Sequence, residues 1–411
     1  MKNISTLIVG AGQAGLAMSR ELTLRSEPHV LIERGEVANS WAHERWDSLR
    51  LLTPNWQSRL PGHGYTGPDP DGFMDMAAVV EMLTGYAARI SAPVESRTKV
   101  TAVTASSDGY RVETDRGAWA CRTLVVASGS CNRANIPAFA AALPDHIRQL
   151  SPLDYRTPAQ LAAGGVLVVG ASASGVQIAA ELADAGRNVV LSAGHHVRMP
   201  RHYRGRDIQW WMDRSGLLAT TTAEVDDLAR ARAVPSLQLV GDAGRQFLDL
   251  NALQAAGVEV VGRLADFRDG TALFSGGLGN AVALSDLKMN RALAGFDAWA
   301  ETAGLADLPA PERFQPTAVA QAPRLGLDLR KGRIATVIWA TGFRPEMGWL
   351  QLPVFDRKGR LAHRDGIVAP GLTVLGLPFL RSRKSSLIDG VGADAAALAD
   401  QLVHANRRQA A

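Results

Sequence analysis

The chain carries two copies of one arrangement of apolar and polar positions. Near the N-terminus, Thr6-Leu7-Ile8-Val9 is a short continuous apolar run, which predicts a buried strand. A glycine-rich hexad follows, then a helical spacing of apolar residues through Leu22 and a second strand over His29–Ile32. The same succession returns as Val166-Leu167-Val168-Val169, a hexad from Gly170 to Gly175, a helix through Leu182 and a strand over Asn188–Ser192. Apolar strands alternating with amphipathic helices are what parallel sheets covered on both faces require. The pattern therefore predicts an α/β architecture with two such units.

The residues between strand and helix specify what each turn can hold. Gly10-Ala11-Gly12-Gln13-Ala14-Gly15 is GxGxxG in a strand–turn–helix context, the signature of a Rossmann-like dinucleotide site. Gly10 permits the tight turn, Gly12 lets backbone approach a pyrophosphate, and Gly15 lets helix and strand pack closely. Gln13 and Ala14 then open the helix whose N-terminus takes the phosphate charge. The second strand ends in Glu33, followed by Arg34. A carboxylate there accepts both hydroxyls of an adenosine ribose and repels a 2′-phosphate, so FAD or NAD fits and NADP does not.

The second hexad is Gly170-Ala171-Ser172-Ala173-Ser174-Gly175, with Ser172 in place of the middle glycine. Serine is small and its hydroxyl can itself meet a phosphate oxygen. The position equivalent to Glu33 is Ala193, and the loop beyond it offers His196, Arg198 and Arg201 to pair with a 2′-phosphate. NADPH is thus favoured over NADH, which stays open as the alternative. Arg204 and Arg206 extend the basic cluster, either as phosphate ligands or as a solvated face. Two dinucleotides on one chain imply hydride exchange between their rings, with FAD at the Glu33 site and the nicotinamide cofactor at the middle one.

Further stretches resemble the flavin-containing monooxygenases, in particular their bacterial flavoprotein and plant YUCCA-type branch. Leu124-Val125-Val126-Ala127-Ser128-Gly129 and Val337-Ile338-Trp339-Ala340-Thr341-Gly342-Phe343-Arg344-Pro345 look like the two ATG-type strand-to-loop segments of that family. Ser40-Trp41, Arg45 to Pro54 and Ser385 to Asp394 are similar to its flavin-side segments. The resemblance implies two Rossmann-like domains, the nicotinamide domain inserted in the FAD domain. Residues 1–155 and 335–411 would form the FAD domain, and 156–334 the nicotinamide domain with lid or substrate-channel elements. It implies Trp41, Arg50, Thr53, Gly129, Thr341, Gly342 and Asp389 as further cofactor neighbours.

The reaction so implied is NADPH reduction of FAD and transfer of one oxygen atom from O2 to a small organic substrate through a flavin C4a-(hydro)peroxide. Such chemistry is cofactor-borne and needs no protein nucleophile. The chain departs from the family in two places. Of the FxGxxxHxxxY fingerprint, Phe139 to Tyr155 keeps the two ends and places Ser151 where the histidine would stand. Pro54 follows Thr53 where the flavin-side asparagine would be, with Asn55 one position on. A flavin oxidoreductase or oxidase without oxygen transfer is therefore the alternative, and a non-catalytic flavin-binding sensor the second.

Composition narrows the partners. With 46% hydrophobic and 20% charged residues the chain is expected to fold throughout, and 411 residues exceed what one core supports. A net charge of +4, with no basic stripe carrying interleaved aromatics, argues against a nucleic-acid partner. Gly10, Gly12 and Gly15 interrupt the apolar start before a signal-peptide core forms, and no run reaches the roughly 18 apolar residues of a membrane span. Cys121 and Cys131 form neither a CxxC pair nor a metal-ligand pattern, which fits a cytoplasmic protein with no metal. A homodimer is the expectation from symmetry statistics alone.

Overall fold

The computed structural model describes residues 1–411 except 243, 245, 246, 306, 331 and 411. Strand β1 (Lys2–Val9), helix α1 (Gln13–Leu24) and strand β2 (His29–Ile32) begin the first parallel sheet. Its order is 367–369, 372–374, 117–126, β1, β2, 94–95, so β1 lies between β2 and the long strand Gly117–Val126. A hairpin over 100–114 feeds that long strand, and the C-terminal helix over 391–410 packs against α1. Leu7, Ile8, Leu16, Leu31, Val125 and Leu398 meet in one core, each fully buried.

The second sheet has five parallel strands. They run in the order 259–262, β4 (Val189–Ala193), β3 (Gly165–Val169), β5 (Ile334–Trp339) and 148–150, with α2 (Ala173–Asp184) following β3. Because the sheet is covered on both faces it has two cores, one around Val168, Val176 and Leu191, the other around Leu167, Val337 and Trp339. The chain crosses between sheets through an antiparallel ribbon, Phe343–Arg344 paired with Arg133–Ala134. The crossings therefore lie at about 134 and 343, not at 155 and 335. The apolar run Ile334–Trp339 forms a central strand of the second sheet, and Arg148–Leu150 pairs beside it.

Helix α3 (Leu278–Thr302) and the helix over 208–214 enclose a separate core of Tyr203, Trp211, Met289, Leu293 and Phe296, with Trp210 and Trp299 against it. Backbone hydrogen bonds from Thr222, Arg383 and Lys384 tie this core to the segment 381–384.

Candidate functional site: two joined dinucleotide clefts

The first cleft opens at the C-terminal ends of β1 and β2. Gly10 turns there with φ +107°, and a Cβ on it would lie 2.5 Å from the Ala127 carbonyl oxygen. On Gly15 a Cβ would come to 1.9 Å of the Gly10 carbonyl oxygen, so helix and turn touch through bare backbone. Around Gly12 the same position is open. The helices over 76–89, 208–214, 228–232 and 250–255 each begin with an aspartate that accepts from the first turn. By contrast α1 begins at Gly12 with no side-chain cap and no acid in its first turn. Its N–H groups thus remain for an anion.

Glu33 is buried at the end of β2, where its carboxylate accepts from Ala11 N at 2.8 Å and Gly35 N at 3.1 Å. Each oxygen keeps a lone pair for a ribose hydroxyl. Gly10, Gly12, Gln13, Ala14, Glu33, Arg34, Trp41 and Gly129 line this cleft of about 330 Å³. Gln13 accepts from the Trp41 indole at 3.2 Å, and Arg34 pairs with Glu44.

Three residues of the flavin-side group lie elsewhere. Arg50 borders a separate depression with Asn55 and donates to the Phe73 carbonyl. Thr53 is half-buried outside the lining of either cleft. The carboxylate of Asp389 is committed to Arg59 at 2.5 Å and Lys384 at 3.2 Å.

The second cleft repeats the geometry. Gly170 has φ +110° and a Cβ on it would lie 2.3 Å from the Ala340 carbonyl oxygen, while one on Gly175 would reach 1.8 Å from the Gly170 oxygen. Ser172 stands at the N-terminus of α2 without capping it, so its hydroxyl faces no competing intrahelical partner. Buried Ala173 opens the helix, and Ser172, Ser174, Thr341 and Gly342 line a cavity of about 1600 Å³. Thr341 Oγ1 donates to the Asn135 carbonyl at 2.7 Å, holding β5's exit against the crossing ribbon. Ser130, Cys131 and Glu346 line both clefts, so the two share a wall.

The basic loop turns into the protein rather than toward the cleft. His196 is buried, with Nδ1 on the Gly194 carbonyl at 2.8 Å, and burial lowers its pKa. Arg198 is clamped between Asp249 (2.7 Å) and Asp286 (2.8 Å). Arg201 forms a two-pronged pair with Asp207 and stacks over Phe73. All three point into packed protein, so their geometry does not fit a 2′-phosphate. Arg204 likewise pairs with Asp297, and Arg206 lies over Trp210. The groups that border the cleft beyond Ala193 are Arg263 and His195, a ring whose pKa is lowered by burial, with Lys288 Nζ 2.9 Å from His195 Nε2. Arg263 arrives there because the strand 259–262 pairs with β4, Gly262 opposite Ala193. Seventy residues of chain separate Arg263 from Ala193, so no local spacing could reveal it.

Ser151 is buried in a turn, donating to Asp154 at 2.7 Å, and the Tyr155 hydroxyl donates to Glu181 at 2.9 Å within a core. Burial pushes the Cys121 thiol up to about 12, and both cysteines are free. Among the described residues no helix is long and apolar enough to cross a membrane.

Residues 7–206 match the family described as pyridine nucleotide-disulphide oxidoreductase. An uncharacterized CzcO-like oxidoreductase of Geobacillus kaustophilus is 30% identical over 406 residues, 98% of this chain and 99% of that one. The chain belongs to the CzcO-like oxidoreductases. Over a shorter stretch, the indole-3-pyruvate monooxygenase YUCCA1 of Oryza sativa is 31% identical over 208 residues, covering 48% of this chain and half of the plant protein. A flavin-containing monooxygenase from Stenotrophomonas maltophilia shares the fold with a TM-score of 0.68 at 20% identity, over 98% of this chain and 99% of that one. The two-sheet architecture is thus shared with that structure.

Proposed function

We propose that this protein is an FAD-dependent, NADPH-consuming monooxygenase that transfers one oxygen atom from O2 to a small organic substrate. The observation that carries the cofactor pair is the matched set of uncapped helix N-termini, α1 and α2, opening onto two clefts that share Ser130, Cys131 and Glu346. Gly12 leaves the cradle open for the FAD pyrophosphate, and Glu33 would hold the adenosine ribose. Ser172, Ser174 and the α2 N-terminus would hold the nicotinamide pyrophosphate, with Arg263, His195 and Lys288 at the 2′-phosphate. When bound, the nicotinamide supplies a hydride and the flavin supplies the oxygen chemistry. The residues of this chain bind, orient and exclude water; no side-chain nucleophile is required. Neither cysteine pairs with the other, which weighs against disulfide reduction.

The test is stopped-flow absorbance of the FAD-loaded protein, reduced anaerobically by NADPH and mixed with O2. A flavin species distinct from reduced and oxidised forms that persists for seconds is expected. Direct return to oxidised flavin with release of hydrogen peroxide would replace this reading with an oxidase or reductase, and absence of reduction by NADPH with a flavin-binding sensor.

A further inference from the structure

The second cleft contains a cation that the dinucleotide does not account for. Residues 228–236 border the cleft as a strap, and Gln238 just beyond it donates to the Ala171 carbonyl at 2.7 Å, next to the second glycine turn. In its middle the strap carries Arg232, whose Nε donates to the Phe379 carbonyl at 3.2 Å. Among the described residues no carboxylate lies within ion-pair distance of Arg232. Asp365, the acid that acts on it through space, has its carboxylate on Thr222 Oγ1 at 2.9 Å. Burial lowers the Arg232 pKa, yet a guanidinium remains charged throughout the working range.

His363 borders the same wall. Its Nδ1 accepts from Gly366 N at 3.4 Å, and its pKa is pushed down to about 4, by burial first and then by Arg232. In the neutral ring the proton is therefore on Nε2, a donor. Phe379, which Arg232 touches, holds φ +48°, a left-handed conformation strained for an aromatic residue and most often met at functional sites. The wall continues through Leu377 and Pro378 to Gly376, which lines the FAD cleft.

A guanidinium without a carboxylate partner and an imidazole N–H on one cleft wall are a site for an anion. A phosphorylated dinucleotide carries its charge at two places, and each has its own donors: the α2 N-terminus for the pyrophosphate, Arg263 with His195 and Lys288 for the 2′-phosphate. Arg232 is a third. The cavity, at about 1600 Å³, also exceeds the roughly 300–1000 Å³ of ordinary ligand pockets, leaving room for a second molecule. We infer that Arg232, with His363 beside it, binds the carboxylate of an organic acid substrate on the wall between the nicotinamide and FAD clefts. This rests on the oxidoreductase reading of that cleft.

The test uses FAD-loaded protein and isothermal titration with phenylacetate, 3-phenylpropanoate and their primary amides, with and without saturating NADP. At least one acid is expected to bind about ten-fold or more tightly than its amide, the range of a charge-assisted hydrogen bond. Arg232→Gln should abolish that preference, and Arg232→Lys should keep part of it, while the NADP affinity stays within about two-fold. Flavin content and melting temperature report whether each variant is folded. Equal binding of every acid and amide by the wild type overturns the inference, and so does a preference that survives Arg232→Gln. A large loss of NADP affinity with the acid preference intact would instead assign Arg232 to the cofactor. Equilibrium binding does not depend on the oxygen step, so this result stands apart from the stopped-flow outcome.

Discussion

Gly12 and Gly15 lie three residues apart and meet opposite surroundings. A methyl on Gly15 would sit 1.9 Å from a backbone oxygen, so Gly15→Ala forces the turn and α1 apart and should lower unfolding free energy by about 1–3 kcal/mol. A methyl on Gly12 meets nothing within 4 Å, and its φ of −85° suits alanine, so the apo fold should keep its stability while FAD binding weakens by about 1.5–3 kcal/mol. Urea unfolding and titration of apoprotein with FAD separate the two effects; unchanged FAD affinity in Gly12→Ala would remove the first cleft from the flavin reading. In the second cleft, Arg263→Ala should cut kcat/KM for NADPH about ten-fold or more and leave that for NADH unchanged, since only the former carries the phosphate. An equal loss with both coenzymes would show that Arg263 supports the fold or the shared adenosine instead.

At the scale of elements, the loop after β4 is a brace between α3 and the rest of its domain. Arg198 lies between Asp249, which caps one helix, and Asp286 on α3, and Asp286 also accepts from Thr317. Removing the cation leaves buried Asp249 and half-buried Asp286 without their counter-charge, so Arg198→Met should cost about 3–5 kcal/mol in urea unfolding without changing the KM for NADPH. A selective rise in that KM at wild-type stability would restore Arg198 to the phosphate site. Both glycine turns, Glu33 and the alternation of strands and helices could be read from the sequence because each is a local spacing. The 2′-phosphate candidates could not. His196, Arg198 and Arg201 have the right chemistry in the right loop, but whether an arginine faces a cleft or an aspartate, as Arg198 faces Asp249 and Asp286, is settled by tertiary packing. The same holds for β5, whose apolar run announces a strand but not which sheet it joins, and for Asp389, whose partner Arg59 lies in the first domain.

Across the whole molecule, acid should loosen the fold through its histidines. The pKa values of His29, His63, His195, His196 and His363 are all lowered, in each case by burial first. For His363 the ordinary 6.5 falls to about 4. A depressed imidazole means that, as pH falls, the unfolded chain takes up the proton before the folded one. The stability is fully present above about 6.5 and is lost as pH falls from there through about 4. Glu181 and Asp394 act against this, because burial raises their pKa and protonation near the bottom of the same window favours the folded state. Five depressed imidazoles against two raised carboxyls give a net loss. The urea midpoint of the FAD-saturated protein, held at constant ionic strength, should therefore be lower at pH 5 than at pH 7, and His363→Asn should show a smaller drop. A midpoint that rises on acidification would mean that the buried carboxyls dominate. An unchanged drop in His363→Asn would place the acid sensitivity in the other four rings, away from the wall where Arg232 and His363 meet the cleft.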